Sequence, residues 1–230
     1  MTKKLGALPD EDLHVLLVLA LTVGTGAVDA VSYFSLDHTF TANMSGNMAL
    51  LGIGIANGFG SVEGNVFAFV GFVLGSIAIG RFIHAHHGPF LRTAVEALVA
   101  ELVILLGLTV LLGIVDVADQ DFWRYAVCVL LAAAMGIQTG VGRHMSVKDV
   151  NTTVATMTLH DLAAASKLAG GDSVRWRRRA GVVVALLAGA AIGVGLDKAV
   201  SWGGLAFTSL VTVVVIGAAV ALLRREPLVD

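Results

Sequence analysis

The residues able to do chemistry gather in two short polar runs. The first, DHTFTANMSGNMALLG at 37–52, sets Asp37, His38, Thr39, Thr41, Asn43, Ser45, Gly46 and Asn47 between apolar stretches. Hydroxyl and amide side chains of this kind cap unpaired backbone N–H groups where a helix begins, and asparagines four apart, here Asn43 and Asn47, project from one helix face. The second run, VKDVNTTVATMT, brings Asn151, Thr152, Thr153, Thr156 and Thr158, with Thr152 and Thr156 again four apart. Neither run contains a phosphate-binding glycine loop, a nucleophile elbow or a zinc-protease signature. The chemistry expected is therefore recognition of a small polar or anionic solute by N–H, hydroxyl and amide groups. No enzymatic activity, cofactor or nucleic-acid partner is expected.

Three further groups lie alone in apolar surroundings: Asp29 about 16 residues into the first apolar run, Glu101 in the run that starts near 93, and Gln138 at a place in its run comparable to that of Asp29. A charge at membrane depth costs roughly 2.5–3.5 kcal/mol, so such groups face the bundle interior. Asp29 has two readings. It couples a proton or touches solute, or it is a neutral carboxyl bonded to a neighbouring helix. Glu101 is the second proton-coupling candidate. Asp29 and Gln138 are expected to be paired positions of one site, and Tyr33, near the end of the first helix, belongs with them. His84, His86 and His87 have metal-ligating side chains but no cysteine or carboxylate partner, so a solvated loop is expected and no metal site. His160 and Asp161 line a path or face the headgroups. Cys128, the single cysteine, is read as a small core residue.

The elements that carry these groups follow from composition. The 230 residues are 57% hydrophobic and 14% charged, with a mean hydropathy of +0.86, whereas soluble domains carry roughly 25% charged residues. A multi-pass protein of the lipid bilayer is implied. Six apolar runs near 13–35, 64–84, 93–115, 123–144, 179–199 and 204–223 reach the ~20 residues needed to cross. Asp10, Glu11 and Asp12 interrupt the passage from a basic start to the first run, which favours a first span over a cleaved signal peptide. Two shorter segments, 43–57 and 152–168, either cross as well or dip in and return. With the N-terminus cytoplasmic, eight crossings put 5 of the 15 Lys and Arg outside. Six crossings leave only Arg124 and Lys198 outside, as positive charge resisting translocation requires.

The expected fold is thus all-α, with six transmembrane helices and two re-entrant half-helices. Cytoplasmic tails at 1–12 and 224–230 flank repeat 1 at 13–115 and repeat 2 at 123–223. Each repeat has an odd number of crossings, so the second is inverted relative to the first. Gly71 with Gly75, and Gly189 with Gly193, mark the corresponding span of each repeat. Half-helix N-termini from opposite leaflets then converge, and their dipoles suit an anion or a hydrogen-bond acceptor. The alternative is that the same Ser, Thr and Asn side chains satisfy broken backbone with no solute at all.

The runs GAVDAVSYFSLDHTFTANMSGN and AMGIQTGVGR…VNTTVATMT resemble those of the YoaK-type family of bacterial inner-membrane proteins of unknown function. Gly26, Asp29, Ala30, Phe40, Ala42, Asn43, Ser45, Gly46 and Asn47 match its first pattern. Gly136, Gln138, Thr152, Thr153 and Thr156 match its second, with Met157 where a glycine is usual. The resemblance spans nearly the whole chain and implies a bacterial inner-membrane location but no substrate. Two functions of different class stand: a secondary transporter working by alternating access, and a membrane scaffold or lipid- or signal-binding protein that does not transport. A homo-oligomer is open under either.

Overall fold

A computed structural model describes residues 10–58, 62–86, 90–115, 117, 120–144 and 155–224. Thr152 and Thr153 lie outside the described residues. The chain is helical: α1 (Asp10–Ser35), α2 (Met44–Ala56), α3 (Glu63–Ala85), α4 (Phe90–Ile114), α5 (Asp121–His144), α6 (Ala155–Ala164), α7 (Trp176–Ala199) and α8 (Gly203–Leu223). Six of these, all but α2 and α6, are long and apolar enough to cross a membrane. At 1.5 Å per residue α2 is only about 20 Å long, less than the ~30 Å hydrocarbon core.

Helix directions can be read from packing. A Cβ on Gly189 or Gly193 of α7 would collide with the α1 backbone at Val23 or Ala27, and Ser35 Oγ donates to Asp197 Oδ2 at 2.9 Å. At the other end Arg178 pairs with Asp12 at 3.2 Å. These contacts make α1 and α7 parallel. A Cβ on Gly71 or Gly75 of α3 would likewise strike the α5 backbone at Val129 or Ala133, so α3 and α5 are parallel too. Without side chains at these positions the backbones approach closely enough for van der Waals packing to hold helices together where lipid is as apolar as the protein.

Two apolar clusters build the interior. One joins Val18 and Leu21 of α1, Leu98 of α4, Val141 of α5, and Val215 and Ala219 of α8. The other joins Val28 and Val31 of α1, Leu105 and Leu108 of α4, Leu131 and Met135 of α5, and Leu205 of α8. They occupy opposite ends of the bundle, here the N-terminal end and the far end. The end of α1, the end of α4, the start of α5 and the start of α8 meet at the far end around a cavity of about 480 Å³ whose lining includes Val31, Leu36, Leu112, Leu131 and Leu205. Helix α1 is the most enclosed of the six, with 67% of its apolar window buried against 22% for α3 and for α7. Helix α7 packs along it, whereas α3 packs along α5.

Between α1 and α3 the chain leaves from and returns to the far end, because the start of α3 packs there: Gly64 lies against the Thr39 side chain. Asp37 and His38, with φ of 53° and 55°, reverse the chain just after α1. Both adopt the left-handed region that non-glycine residues seldom use. The expected segment 43–57 appears as α2 with Asn43 at its N-cap and Asn57 at its C-cap. Described helix in the second short segment runs from Ala155 to Ala164, and Lys167–Ala169 forms a 3₁₀ turn where sequence alone continued a single segment to 168. Gly170 and Gly171 follow, with Gly170 at φ 80°, and end that turn.

Candidate functional site

The first polar run folds into one connected cluster centred on Asp29. Helix α1 presents the half-buried Asp29 near its far end, and Oδ1 accepts hydrogen bonds from the backbone N–H groups of Thr41 at 3.0 Å, Ala42 at 2.7 Å and Asn43 at 3.3 Å. Those are the donors that an extended, non-helical entry into α2 leaves without intrahelical partners. A charged acceptor facing them roughly doubles the strength of each bond over a neutral pair. The anion position ahead of α2 is therefore filled from within, by the carboxylate of Asp29.

The asparagines do related work. Asn43 Oδ1 accepts from the Gly46 N–H at 3.2 Å and from the Ser45 hydroxyl at 2.9 Å, which caps α2. Asn47 is fully buried; its Oδ1 accepts from the Phe40 N–H at 2.9 Å while its Nδ2 donates to the Phe40 carbonyl. One amide thus satisfies both polar groups of a residue outside regular structure. Gly46 has no room for a Cβ, which would meet Asn43 and the Phe40 ring. Tyr33 stacks on Phe40 with centroids 4.9 Å apart and lies 4.8 Å from the His38 ring. Thr41 is buried beside Ser32, whose hydroxyl donates to the Asp29 carbonyl at 3.1 Å. Asn43 and Ser45 are the exposed polar edge of the cluster.

Asp29, Tyr33, Thr41, Asn43, Ser45, Gly46 and Asn47 are accordingly brought together. Gln138 is not in that cluster. It reaches α1 one turn nearer the N-terminal end, where Nε2 donates to Thr25 Oγ1 at 2.7 Å and to the Leu21 carbonyl at 3.4 Å. Glu101 is buried completely on α4, with neither carboxyl oxygen bonded. Thr156 is exposed on α6, and the buried threonine of that helix is Thr158. His84 bonds the Gly80 carbonyl within α3 and His86, just past its end, bonds the Phe82 carbonyl, and no cluster of metal-ligating side chains occurs among the described residues.

Sequence reasoning passed over Thr25 and Ser32 and named Phe40 only as a position of the family pattern, yet all three hold the candidates in place. Thr25 and Ser32 looked like ordinary polar residues of an apolar helix, although their spacing from Asp29, one turn before it and one turn after it, was a usable signal. It also passed over Thr208, Ser209 and Thr212 of α8, all buried.

Comparison with known proteins agrees with the membrane architecture. Residues 17–221 match a family described as "Protein of unknown function (DUF1275)". The chain is 32% identical over 156 residues to UPF0700 transmembrane protein YoaK of Bacillus subtilis (strain 168), an alignment that covers 64% of each chain. The matched stretch thus spans about two thirds of that relative's length. No solved structure matches.

Proposed function

We propose, for a chain that belongs to the DUF1275 family of proteins of unknown function, a secondary transporter that moves a small polar or anionic solute by alternating access between two inverted repeats. One observation carries the reading, the matched packing of the two halves. Helix α7 meets α1 through Gly189 and Gly193 against Val23 and Ala27, and α3 meets α5 through Gly71 and Gly75 against Val129 and Ala133. Exchanging residues 13–115 with 123–223 carries the first contact onto the second. Because each half contributes three long helices, the exchange inverts direction across the membrane, as in transporters built this way. In this register Met135 stands at the place of Asp29 and Ser32 at that of Gln138, so the two halves place their polar groups at different levels.

Helices α2 and α6 are then the re-entrant half-helices, with the N-terminal end cytoplasmic. Among the described residues only Arg124 and Lys198 carry Lys or Arg charge at the far end, in keeping with positive charge staying inside. The cluster around Asp29 gives the solute chemistry. An anionic or acceptor group that displaces the Asp29 carboxylate would inherit the N–H groups of Thr41, Ala42 and Asn43, next to the exposed amide of Asn43 and hydroxyl of Ser45. A proton on Asp29 would weaken its hold on those donors and favour the exchange, which is how proton and solute would be coupled. The cavity between α1, α4, α5 and α8 is the far-end approach to the centre of the bundle. The reading assigns no bond-making step to the protein, and its location is the bacterial inner membrane.

Cysteine accessibility tests alternating access without knowledge of the solute. In a Cys128→Ser background, Leu131→Cys at the cavity should react with an impermeant maleimide from the far-end side, and Val141→Cys from the opposite side in a fraction of molecules. Val141→Cys that is unreactive from both sides sinks the proposal. A second reading, a non-transporting scaffold, draws on the internal bonding of Asp29 and Asn47. It predicts no opposite-side labelling.

A further inference from the structure

The two apolar clusters leave a gap between them, and the gap is polar in all four central helices. On α1, Thr22 and Thr25 fall between Leu21 of one cluster and Val28 of the other. On α4, Glu101 falls between Leu98 and Leu105. Gln138 of α5 falls between Met135 and Val141, and Thr208, Ser209 and Thr212 of α8 fall between Leu205 and Val215. Contacts join these levels: Gln138 bonds Thr25, and the Thr208 methyl packs against α1 at Gly24. Each of these side chains is at most 3% exposed.

Donors in this layer are spent. Thr22 donates to the Val18 carbonyl at 2.8 Å, Thr25 to Leu21 at 3.0 Å, Thr208 to Gly204 at 3.1 Å, Ser209 to Leu205 at 2.9 Å and Thr212 to Thr208 at 3.1 Å. With the Thr25 proton committed, its oxygen can only accept, which sets Gln138 Nε2 toward it and turns Gln138 Oε1 away. Three acceptor oxygens are then buried without a donor: Oε1 and Oε2 of Glu101, and Oε1 of Gln138. A buried acceptor without a donor is rare in folded proteins, and a buried charge without a partner rarer still.

Among the described residues of these four helices, no side chain supplies the missing positive charge. Helix α8 contains no ionisable residue. On α5, Asp121, Arg124, Tyr125 and Cys128 belong to the far end, and Arg143 and His144 to the last turn at the N-terminal end. On α1, Asp12 and His14 lie in the opening turns, and Asp29 and Tyr33 beyond the layer. On α4 itself Arg92 is paired with Glu96 at 3.1 Å, more than a turn from Glu101.

We propose that Glu101 and Gln138, with the hydroxyl oxygens of Thr25, Thr208 and Thr212 around them, form a mid-bundle binding site for one monovalent cation. Oxygen donors alone select a hard cation over a transition metal. A single carboxylate balances a single positive charge, so a divalent ion would leave a buried excess. Sodium and the proton share this chemistry, since both are held by carboxylate and neutral oxygen. The site does not depend on the solute or on the Asp29 cluster.

The test is charge displacement by the full chain, reconstituted in liposomes on a solid-supported membrane. One arm jumps from N-methylglucamine chloride to sodium chloride at constant pH and ionic strength. The other jumps pH in sodium-free medium. A saturable transient in the first arm identifies an alkali-ion site, and one in the second arm alone identifies a proton site. Glu101→Gln, monodisperse in detergent, should lose the transient at least tenfold, while Glu96→Gln keeps it. Thr212→Val should raise the half-saturating cation concentration at least threefold, a readout that stands even where Glu101→Gln does not fold. Silence of the wild type in both arms, a full transient in folded Glu101→Gln, or an unshifted Thr212→Val overturns the proposal.

Discussion

Asp29 faces three backbone donors rather than a second side chain, and that decides what its substitution should do. In Asp29→Asn one amide oxygen remains to accept from Thr41, Ala42 and Asn43, but the charge assistance is gone. Unfolding stability in detergent should fall by about 1–3 kcal/mol, and Asp29→Ala should fall further because all three N–H groups lose their acceptor. Thermal unfolding of the purified variants followed by circular dichroism measures both; an Asp29→Ala as stable as wild type would mean that the carboxylate does not anchor the loop. Asn47 gives a sharper contrast. Its amide both accepts from the Phe40 N–H and donates to the Phe40 carbonyl, so Asn47→Asp keeps one bond of the pair and Asn47→Leu keeps neither. The expected order of stability is wild type, then Asp, then Leu, with about 1–3 kcal/mol for each buried group left unpaired. The opposite order for the two variants would show that the backbone of Phe40 finds other partners.

Helix pairs are held by glycines that differ sharply in their surroundings. Gly71, Gly75, Gly189 and Gly193 each abut the backbone of a parallel neighbour, whereas Gly80 and Gly107 have open space where a Cβ would go. Valine at Gly75 or Gly189 should force α3 from α5, or α7 from α1, at a cost of about 1–3 kcal/mol or more. Alanine at Gly107 should be neutral or stabilise by up to about 1 kcal/mol, since it removes backbone freedom from the unfolded chain. Melting of the three variants side by side checks this, and equal losses at Gly107 and Gly189 would refute it. The pair Gly75→Val and Gly189→Val also bears on the proposed repeat, because equivalent contacts should respond by similar amounts. Capping of α2 belongs to the same scale: Asn43→Ala removes the acceptor for Gly46 N–H and should cost about 1 kcal/mol.

For the whole molecule the prediction is one of sides. If α2 and α6 turn back, Asn57 and Trp202 share a face with the end of α1, and His86 and Lys167 share the other. In a Cys128→Ser background, Asn57→Cys and Trp202→Cys should react with impermeant reagent added to intact cells, and His86→Cys and Lys167→Cys only after the membrane is opened. Asn57→Cys reactive only from inside would require α2 to cross and would sink the six-crossing arrangement. Labelling of Asn57→Cys from outside is the expected result because Gly64, at the start of α3, packs beside Thr39 just beyond α1.

Much of this was legible along the chain because it is local. Crossing a bilayer requires an unbroken apolar run of fixed length, so the six long helices announce themselves, and Asn43 and Asn57 bound α2 because caps act over three or four residues. The glycine spacings were visible for the same reason. Partners were not. In a membrane the inside of a bundle is no more apolar than its outside, so hydropathy cannot distinguish Ile114, 78% exposed, from Leu105, 0% exposed, two and a half turns earlier on α4. That Gln138 meets Thr25 and not Asp29, that Asp29 answers backbone N–H groups twelve to fourteen residues on, and that Glu101, like Thr208 and Thr212, is buried between the two apolar clusters are consequences of how α1, α4, α5 and α8 rotate against one another. Rotation about a helix axis is set by close packing with every neighbour at once, through contacts between residues more than a hundred positions apart, and only the tertiary structure holds that information.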